Sequence, residues 1–354
     1  MSKSVKIIGT GSYIPGNVAK NESFSSHRFF NMDGSKIKGS NSDIIEKFKA
    51  ITGIEERKYF DTNLVTSDMA FFAANEAIKD SGVNPEEIDY IIVAHNYGDV
   101  KHDSIQSDMV PSLASRVKHL LQIENPSCVA YDILFGCPGW LEGVIQMNAY
   151  IKSGMAKTCL IIGAEGLSRV IDQHDRDSMI YSDGAGATVL QLSEDAGGII
   201  SHSTETHTKE EAHFIHFDKS YQKLENSARH YIKMYGRKVY NFALKNVPLA
   251  MKSCLDKSDV SIDQIKKIFI HQANEKMDAA ICERFYKLYD REMPENVMPM
   301  SISELGNSSV ATIPTLLNLV LKSKLEGHKV EKGDYVLFAS VGAGMNINAV
   351  VYQF

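Results

Sequence analysis

Short apolar runs closed by glycine alternate along the chain with longer stretches of helical periodicity. Val5-Lys-Ile-Ile-Gly-Thr-Gly ends in glycines and predicts a buried strand. Residues 67–81 put Met69, Phe72, Ala73 and Ala77 on one face, with Asp68 near the start and Gly82 as a C-terminal stop. That pattern predicts a helix. Residues 90–94 are again wholly apolar, a second buried strand. Such alternation predicts α/β layers in which helices cover a sheet.

The pattern is written twice. Phe135-Gly136-Cys137 and the helical run ending at Ser153 align without gaps on Leu305-Gly306-Asn307 and the run ending at Ser323. Asn148 falls on Asn318 in the same register. Ser182-Asp-Gly-Ala-Gly186, leading into an apolar run, matches Ser340-Val-Gly-Ala-Gly344, and residues 83–93 match 260–270. The pairs keep their order, so the expectation is a duplicated half-domain and not a solenoid of small repeats. We place the first half at 1–195, a connecting and pocket-lining segment at 196–232, and the second half at 233–354. The connector reads as polar and irregular. Its His202, His207, His213 and His216 lack the HxxH or HxxxH pairing of a metal helix, so a solvated loop is expected. Residues 21–46 read as a surface excursion, and 95–112 as a long connection of the kind that often carries function.

Composition narrows the class. The 354 residues are 44% hydrophobic and 23% charged, ordinary globular usage. A net charge of −6 argues against nucleic acid as a partner. No apolar run approaches the roughly 18 residues of a membrane span, and nothing resembles a signal peptide at Met1. Five scattered cysteines without CxxC spacing suit free thiols in a reducing cytoplasm.

Cys137 carries the sharpest chemical signal. It follows a strand-like run and precedes Pro138, which the first turn of a helix tolerates. The helix to come buries Leu141, Val144, Ile145 and Met147. Cys137 therefore lies beside the positive end of a helix dipole, where a populated thiolate is expected near neutral pH. Gly136 and Gly139 leave room for a substrate, so Cys137 is the candidate nucleophile; the alternative is an inert buried thiol. His271 ends the strand 268–270, a place where α/β proteins put chemistry. Asn307 holds in the second half the position that Cys137 holds in the first. Pseudo-twofold halves would bring both to one small volume. Gly342-Ala343-Gly344 offers backbone N–H groups for an oxyanion hole.

Through these residues the chain resembles the β-ketoacyl-acyl-carrier-protein synthase III family of the thiolase superfamily. The likeness runs from IIGTGSYIPG near the start to SVGAGMNINAVVYQF at the end. Cys137, HQAN at 271–274 and GNSSVATIP at 306–314 match the family's Cys-His-Asn signature in order and spacing, and DRDSMIYSDGAGA at 175–187 matches a core strand and turn. The resemblance implies an α/β fold of the thiolase-like, five-layered α-β-α-β-α kind built from two similar halves. It also implies a homodimer, an acyl carrier protein as partner, and decarboxylating Claisen condensation without metal or redox cofactor. By the same likeness Cys137 takes the acyl group, the N–H groups of Cys137 and Ala343 hold its oxyanion, and His271 and Asn307 donate to the extender carbonyl. Arg176, Asn274 and Lys276 fall on carrier- or CoA-binding positions.

Departures from the family pattern are as informative. Lys47 and Ile51 replace the Trp and Arg that hold the CoA adenine, so a carrier protein is the expected donor. Val110 and Val341 stand where the family has phenylalanines, and the only Trp, Trp140, lies beside the nucleophile. The smaller Val110 and Val341 would let the pocket accept medium-length acyl groups, Val110 reaching the neighbouring subunit's pocket, whereas Met109 or Trp140 turned into the space would keep it short. The losses point to a branch like the ketosynthases of alkylresorcinol or other aromatic polyketides. Two other readings stay open: a non-decarboxylating acyltransferase or thiolase-like enzyme, and a silent partner subunit of an active ketosynthase.

Overall fold

The inner strands are apolar on both faces, and the two faces serve different cores. The computed structural model describes residues 4–223 and 228–354; residues 1–3, and 224–227 of the expected connector, lie outside the described residues. Five strands form one sheet, in the order β1 (Ser4–Tyr13), β5 (Asp183–Ser193), β4 (Thr158–Gly166), β2 (Tyr90–Ala94), β3 (Val129–Ile133). Four form a second, in the order β6 (Gly198–Thr206), β11 (Asn346–Gln353), β10 (Tyr335–Gly342), β9 (Ile265–Ile270). Across each sheet from its first-named strand, pairing runs antiparallel, antiparallel, then parallel. Shared order and direction are the structural form of the duplication.

Side chains alternate between faces along a strand, so a strand buried on both sides needs cover on both. Ile92 and Ala94 of β2, Ile161 of β4, Phe338 of β10 and Val350 of β11 share one cluster with two central helices. These are α4 (Gly139–Lys152) and α7 (Thr312–Leu321). The opposite faces of the same strands turn outward. Ile91, Val93, Leu160 and Ile162 pack under α2 (Thr66–Ser81) and α3 (Leu113–Leu120). Leu337, Ala339 and Val351 pack under α5 (Gly236–Asp256) and α6 (Glu275–Lys287). The result is the five-layered α-β-α-β-α stack. α1 (Asn41–Thr52) lies outside it, against its own small cluster. α2 closes as expected, with Gly82 at φ +67° donating its N–H to Ile78 O at 3.1 Å.

The central layer is tight enough to exclude a Cβ. Gly163 and Gly186 pair across β4 and β5 beneath the α7 region. A Cβ on Gly163 would stand 2.2 Å from Val310 O, and one on Gly186 2.6 Å from Thr315 N. Helix backbone rests directly on sheet backbone there.

Three expectations need correction. The segment 196–232 is not an irregular connector, for it holds β6 and a hairpin, β7 (Ile215–Lys219) with β8 (His230–Met234). β6 belongs to the second sheet, so that sheet begins at Gly198. Its period of two is masked because Ser201 and Ser203 occupy buried positions, Ser201 donating its hydroxyl to Cys254 O at 2.7 Å. The histidines sit on or beside these strands, His207 paired with Glu205 at 2.8 Å. Among the described residues no group of three or more His, Cys, Asp or Glu could hold a metal. Residues 21–46 are not merely a surface excursion: Phe24, Phe29 and Ile44 are buried, and 41–46 open α1. Finally, the second-half copy of α4 is interrupted. A 3-10 turn spans 309–311 before α7 begins at Thr312, with Ser309 at φ +54°. Among the described residues no helix is long and apolar enough to cross a membrane.

Gly163→Ala should lower unfolding free energy by about 2 kcal/mol, the usual cost of forcing atoms into a filled core. Gly16, with nothing within 4 Å of an added Cβ, is the control. Chemical denaturation of the two alanine variants checks the difference.

Candidate active site

Two loops, one from each half, meet backbone to backbone. Gly136 adopts φ +67° just after β3, and a Cβ there would stand 2.6 Å from Ala343 N. A Cβ on Gly342 would stand 2.3 Å from Cys137 N. The Asn346 side-chain amide donates to Ala343 O at 2.9 Å and to Phe135 O at 3.3 Å, clamping the two loops. The N–H groups of Cys137 and Ala343 are thereby neighbours.

Asn307 reaches the same place from the other end of the central layer. Its N–H donates to Ile180 O at 2.9 Å, and its carbonyl accepts from Ser182 N–H at 2.8 Å. Its side-chain Oδ1 accepts from Ser309 N–H at 2.8 Å, which holds Ser309 in its left-handed conformation. The Ser309 hydroxyl then donates to the Cys137 sulfur at 3.4 Å. Asn96 backs this contact. Its amide donates to Ser309 Oγ at 3.2 Å and to a carboxylate oxygen of Glu165, whose other oxygen takes Asn96 N–H at 3.1 Å. Glu165 has no solvent exposure. From Asn96 through Ser309 the donors point one way and polarise each other, and this run ends on the Cys137 sulfur.

Burial dominates the electrostatics. It pushes the Cys137 thiol up to about 11; the Ser309 hydroxyl and the residue's own N–H oppose this, while the Glu165 charge reinforces it. A thiolate populated near neutral pH is therefore not what the free site holds. A helix end contributes at most about 2 kcal/mol, and desolvation of a buried charge exceeds that. Burial likewise lowers His271 to about 4, so its ring is neutral at pH 7 and presents one N–H. His271 is fixed through its backbone N–H to Ala339 O at 2.8 Å, and its Nδ1 has no partner among the described residues.

One cavity of about 580 Å³ joins these groups. Cys137, His271, Asn307, Ala343 and Val341 line it, with Lys47, Ile51, Arg176, Arg237 and Asn274. Asn274 also caps α6, accepting Met277 N–H at 3.0 Å. Three expected site residues lie elsewhere. Trp140 is 1% exposed and packs edge-on against Phe338, because its position on α4 faces the second sheet and not the cavity. Val110 is 86% exposed, carried out of the cavity by the long connection after β2. Lys276 lies exposed on α6, outside the cavity. Sequence reasoning missed Ser309, Asn96, Glu165, Tyr97, Tyr181 and the wall made by β7 and β8. One signal was available: Asn96 and Tyr97 follow the carboxyl end of a parallel strand, the same rule that picked out His271.

The comparisons with known proteins agree with this geometry. The family model described as 3-oxoacyl-[acyl-carrier-protein (ACP)] synthase III matches residues 131–208, and its C-terminal counterpart matches 255–354. The β-ketoacyl-[acyl-carrier-protein] synthase III of Neisseria meningitidis serogroup A is 34% identical over 360 residues, covering 99% of each chain. The chain belongs to the β-ketoacyl-acyl-carrier-protein synthase III family. The Aquifex aeolicus synthase III is 31% identical over 350 residues, again covering 99% of each chain. A solved structure of 3-oxoacyl-[acyl-carrier-protein] synthase III from Aquifex aeolicus VF5 superposes with a TM-score of 0.83 at 30% identity, covering 99% of this chain and 100% of that one. The priming β-ketosynthase of the R1128 polyketide pathway shares the fold, with a TM-score of 0.81 at 23% identity, covering 99% and 96%. This member of the synthase III family is thus a thiolase-fold acyltransferase of the condensing type.

Ser309→Ala removes the donor to sulfur. A hydrogen bond to a charged group is worth about 1.5 kcal/mol, or about one pH unit. The pH profile of Cys137 alkylation by iodoacetamide should move up by that amount. An unmoved profile would show that the contact does nothing for the thiolate.

Proposed function

We propose that the chain condenses an acyl group held on Cys137 with a malonyl- or β-ketoacyl-type thioester presented by an acyl carrier protein, in fatty acid or specialised polyketide biosynthesis. The observation that carries this is the convergence of Cys137, His271, Asn307 and the Ala343 backbone on one cavity. In the first half-reaction the Cys137 sulfur attacks the donor thioester carbonyl, and the Cys137 proton leaves with the departing thiol. The N–H groups of Cys137 and Ala343 hold the oxyanion, whose charge exists only on the way to the acyl-enzyme. In the second, the carboxylate of a malonyl thioester leaves as carbon dioxide. Its electron pair becomes an enolate, and His271 and Asn307 donate to the enolate oxygen. The enolate carbon then attacks the acyl carbonyl, the C–S bond breaks, and the sulfur recovers a proton. A neutral His271 suits this part, since the step needs a donor and not a titrating acid. The Cys137 thiolate takes that proton from water, so the steps balance with thioesters and solvent and no cofactor is invoked.

The finer assignments rest on particular surfaces. Lys47 and Ile51 at the cavity mouth leave the adenine of CoA without an aromatic platform, which favours a carrier protein as donor. Exposed Lys276, Arg237 and Lys238 supply a basic rim for its acidic helix. A homodimer is proposed through β3, an edge strand flanked by exposed Val129 and Leu134, since an unprotected apolar edge invites pairing. A medium-length acyl group rests on Val341 in the cavity wall, and Val110, outside its own chain's cavity, would serve the neighbouring subunit's pocket in a homodimer.

Cys137→Ala should abolish covalent acylation as read by intact mass, with the fold retained. His271→Ala and Asn307→Ala should keep self-acylation but lower release of labelled carbon dioxide and product by about a hundredfold, the usual loss for one oxyanion-type donor. Near-normal condensation in either variant would remove that residue from the mechanism, and acylation without carbon dioxide release from any malonyl donor would favour the non-decarboxylating acyltransferase. Lys276→Glu should raise the KM for acyl carrier protein several-fold while leaving small thioester mimics unaffected. Equal effects on both substrates would remove Lys276 from carrier docking.

A further inference from the structure

Two phenols on the cavity wall pack through their rings, but the mechanism above uses neither hydroxyl. Tyr97 follows Asn96 directly after β2, and Tyr181 adjoins Asn307 through a parallel backbone bridge. Both line the cavity that holds Cys137. Tyr181 is 6% exposed and packs with Leu167, Val170 and Ile232. Tyr97 borders the same cluster and stacks on Phe217, ring centroids 5.2 Å apart. Burial raises both phenols well above their usual range, so both stay protonated; Tyr97 acts on Tyr181, and Cys137 acts on each. Both rings and the Cys137 sulfur border the same cavity.

Neither phenol oxygen bonds a group of the described residues, and neither is among the fully enclosed polar atoms, so both hydroxyls open onto the cavity. Buried Tyr352 accepts Ile7 N–H at 2.8 Å, while the unpartnered hydroxyls of Tyr59 and Tyr286 are enclosed away from the cavity. Phenylalanine would fill the same space with no polar atom to satisfy, and the surrounding wall of Leu167, Ile215, Phe217 and Ile232 is apolar. Two unpartnered donors in an apolar wall next to the nucleophile call for an oxygen on whatever the nucleophile carries. Resting on the condensing reading above, we propose that the acyl group loaded on Cys137 is oxygenated near its thioester, as a 3-oxoacyl or 3-hydroxyacyl group, and that Tyr97 and Tyr181 hydrogen-bond that oxygen. An oxygen on the third carbon lies close to the sulfur yet leaves the thioester carbonyl open to the enolate. The reaction class that supplies such a donor is an earlier condensation, with or without reduction of its ketone.

The test compares octanoyl, 3-hydroxyoctanoyl and 3-oxooctanoyl thioesters of N-acetylcysteamine, with the rate of Cys137 acylation read by intact mass. A site built to bond a substrate oxygen discriminates strongly against an analogue that lacks it. At least one oxygenated donor should react about tenfold or more faster than octanoyl with the unmodified protein. Tyr97→Phe and Tyr181→Phe should each bring that ratio toward one. The ratio is internal to each variant, so a variant that folds poorly loses both rates and not their quotient. Equal rates for all donors in the unmodified protein, or a preference that survives the double variant, would overturn the inference alone. Failure of every donor on a Cys137 that iodoacetamide still alkylates would overturn the condensing reading and this inference with it.

Discussion

The meeting of two loop backbones at Cys137 and Ala343 is the constraint on which the rest of the molecule depends. Side chains at Gly136 and Gly342 would drive the loops apart, and only that contact brings N–H groups from both halves to one point. Asn346 keeps it closed by bonding a carbonyl on each side. For the loops to reach each other, α4, which follows the Cys137 loop, must lie in the layer between the two sheets with its start against the β10–β11 turn that carries Ala343. That layer in turn needs Gly163 and Gly186, where helix backbone touches sheet backbone. The duplicated halves are thus a means of delivering two loops to one place.

Within that frame the site holds its two titrating candidates in their neutral forms. Cys137 is pushed up and His271 down, both chiefly by loss of water. Such a site gives little charge to the ground state and reserves its donors for charge that appears during reaction. The polar chain through Glu165, Asn96 and Ser309 fits that scheme, since its last donor gains most when the sulfur becomes negative. Glu165 acts in two opposed ways: its charge disfavours the thiolate, while its hydrogen bonds orient the amide that supports Ser309.

The outer wall of the cavity depends on a buried ion cluster. Lys233 of β8, with no side-chain exposure, pairs with Asp172 at 2.6 Å and Asp175 at 3.1 Å. Its ammonium also sits 3.5 Å from the centroid of the Tyr221 ring. A buried cation without partners would be costly, so the cluster fixes the β7–β8 hairpin relative to the segment that bears Arg176 and Tyr181. Arg57 fixes that segment from behind, donating to Met179 O at 3.0 Å and to Asn21 Oδ1 at 2.8 Å. Pocket shape in this member of the family is therefore set by buried charge as much as by apolar packing.

Sequence alone determined the layering and the duplication, and it picked out Cys137, His271 and Asn307, which the structure brings to one cavity. Strand and helix periods are local, and the paired loops carry their glycines and reactive residues in contiguous motifs that survive reading one segment at a time. What the tertiary structure decided depends on contacts between segments far apart in the chain. β6 was hidden because serines fill its buried positions, and the partner of Ser201, the Cys254 carbonyl, lies on α5. Trp140 lies three residues after Cys137 yet packs on Phe338 of the second sheet, since it is carried on α4, which begins only at Gly139, while Cys137 stays on the loop before it. The ionisation of Cys137 followed burial, which no helix-end argument can count, because the groups that exclude water come from both halves. Ser309, Asn96 and Glu165 come from three separate loops and strand ends, and they become one hydrogen-bonded chain only when the two sheets close on the central helices.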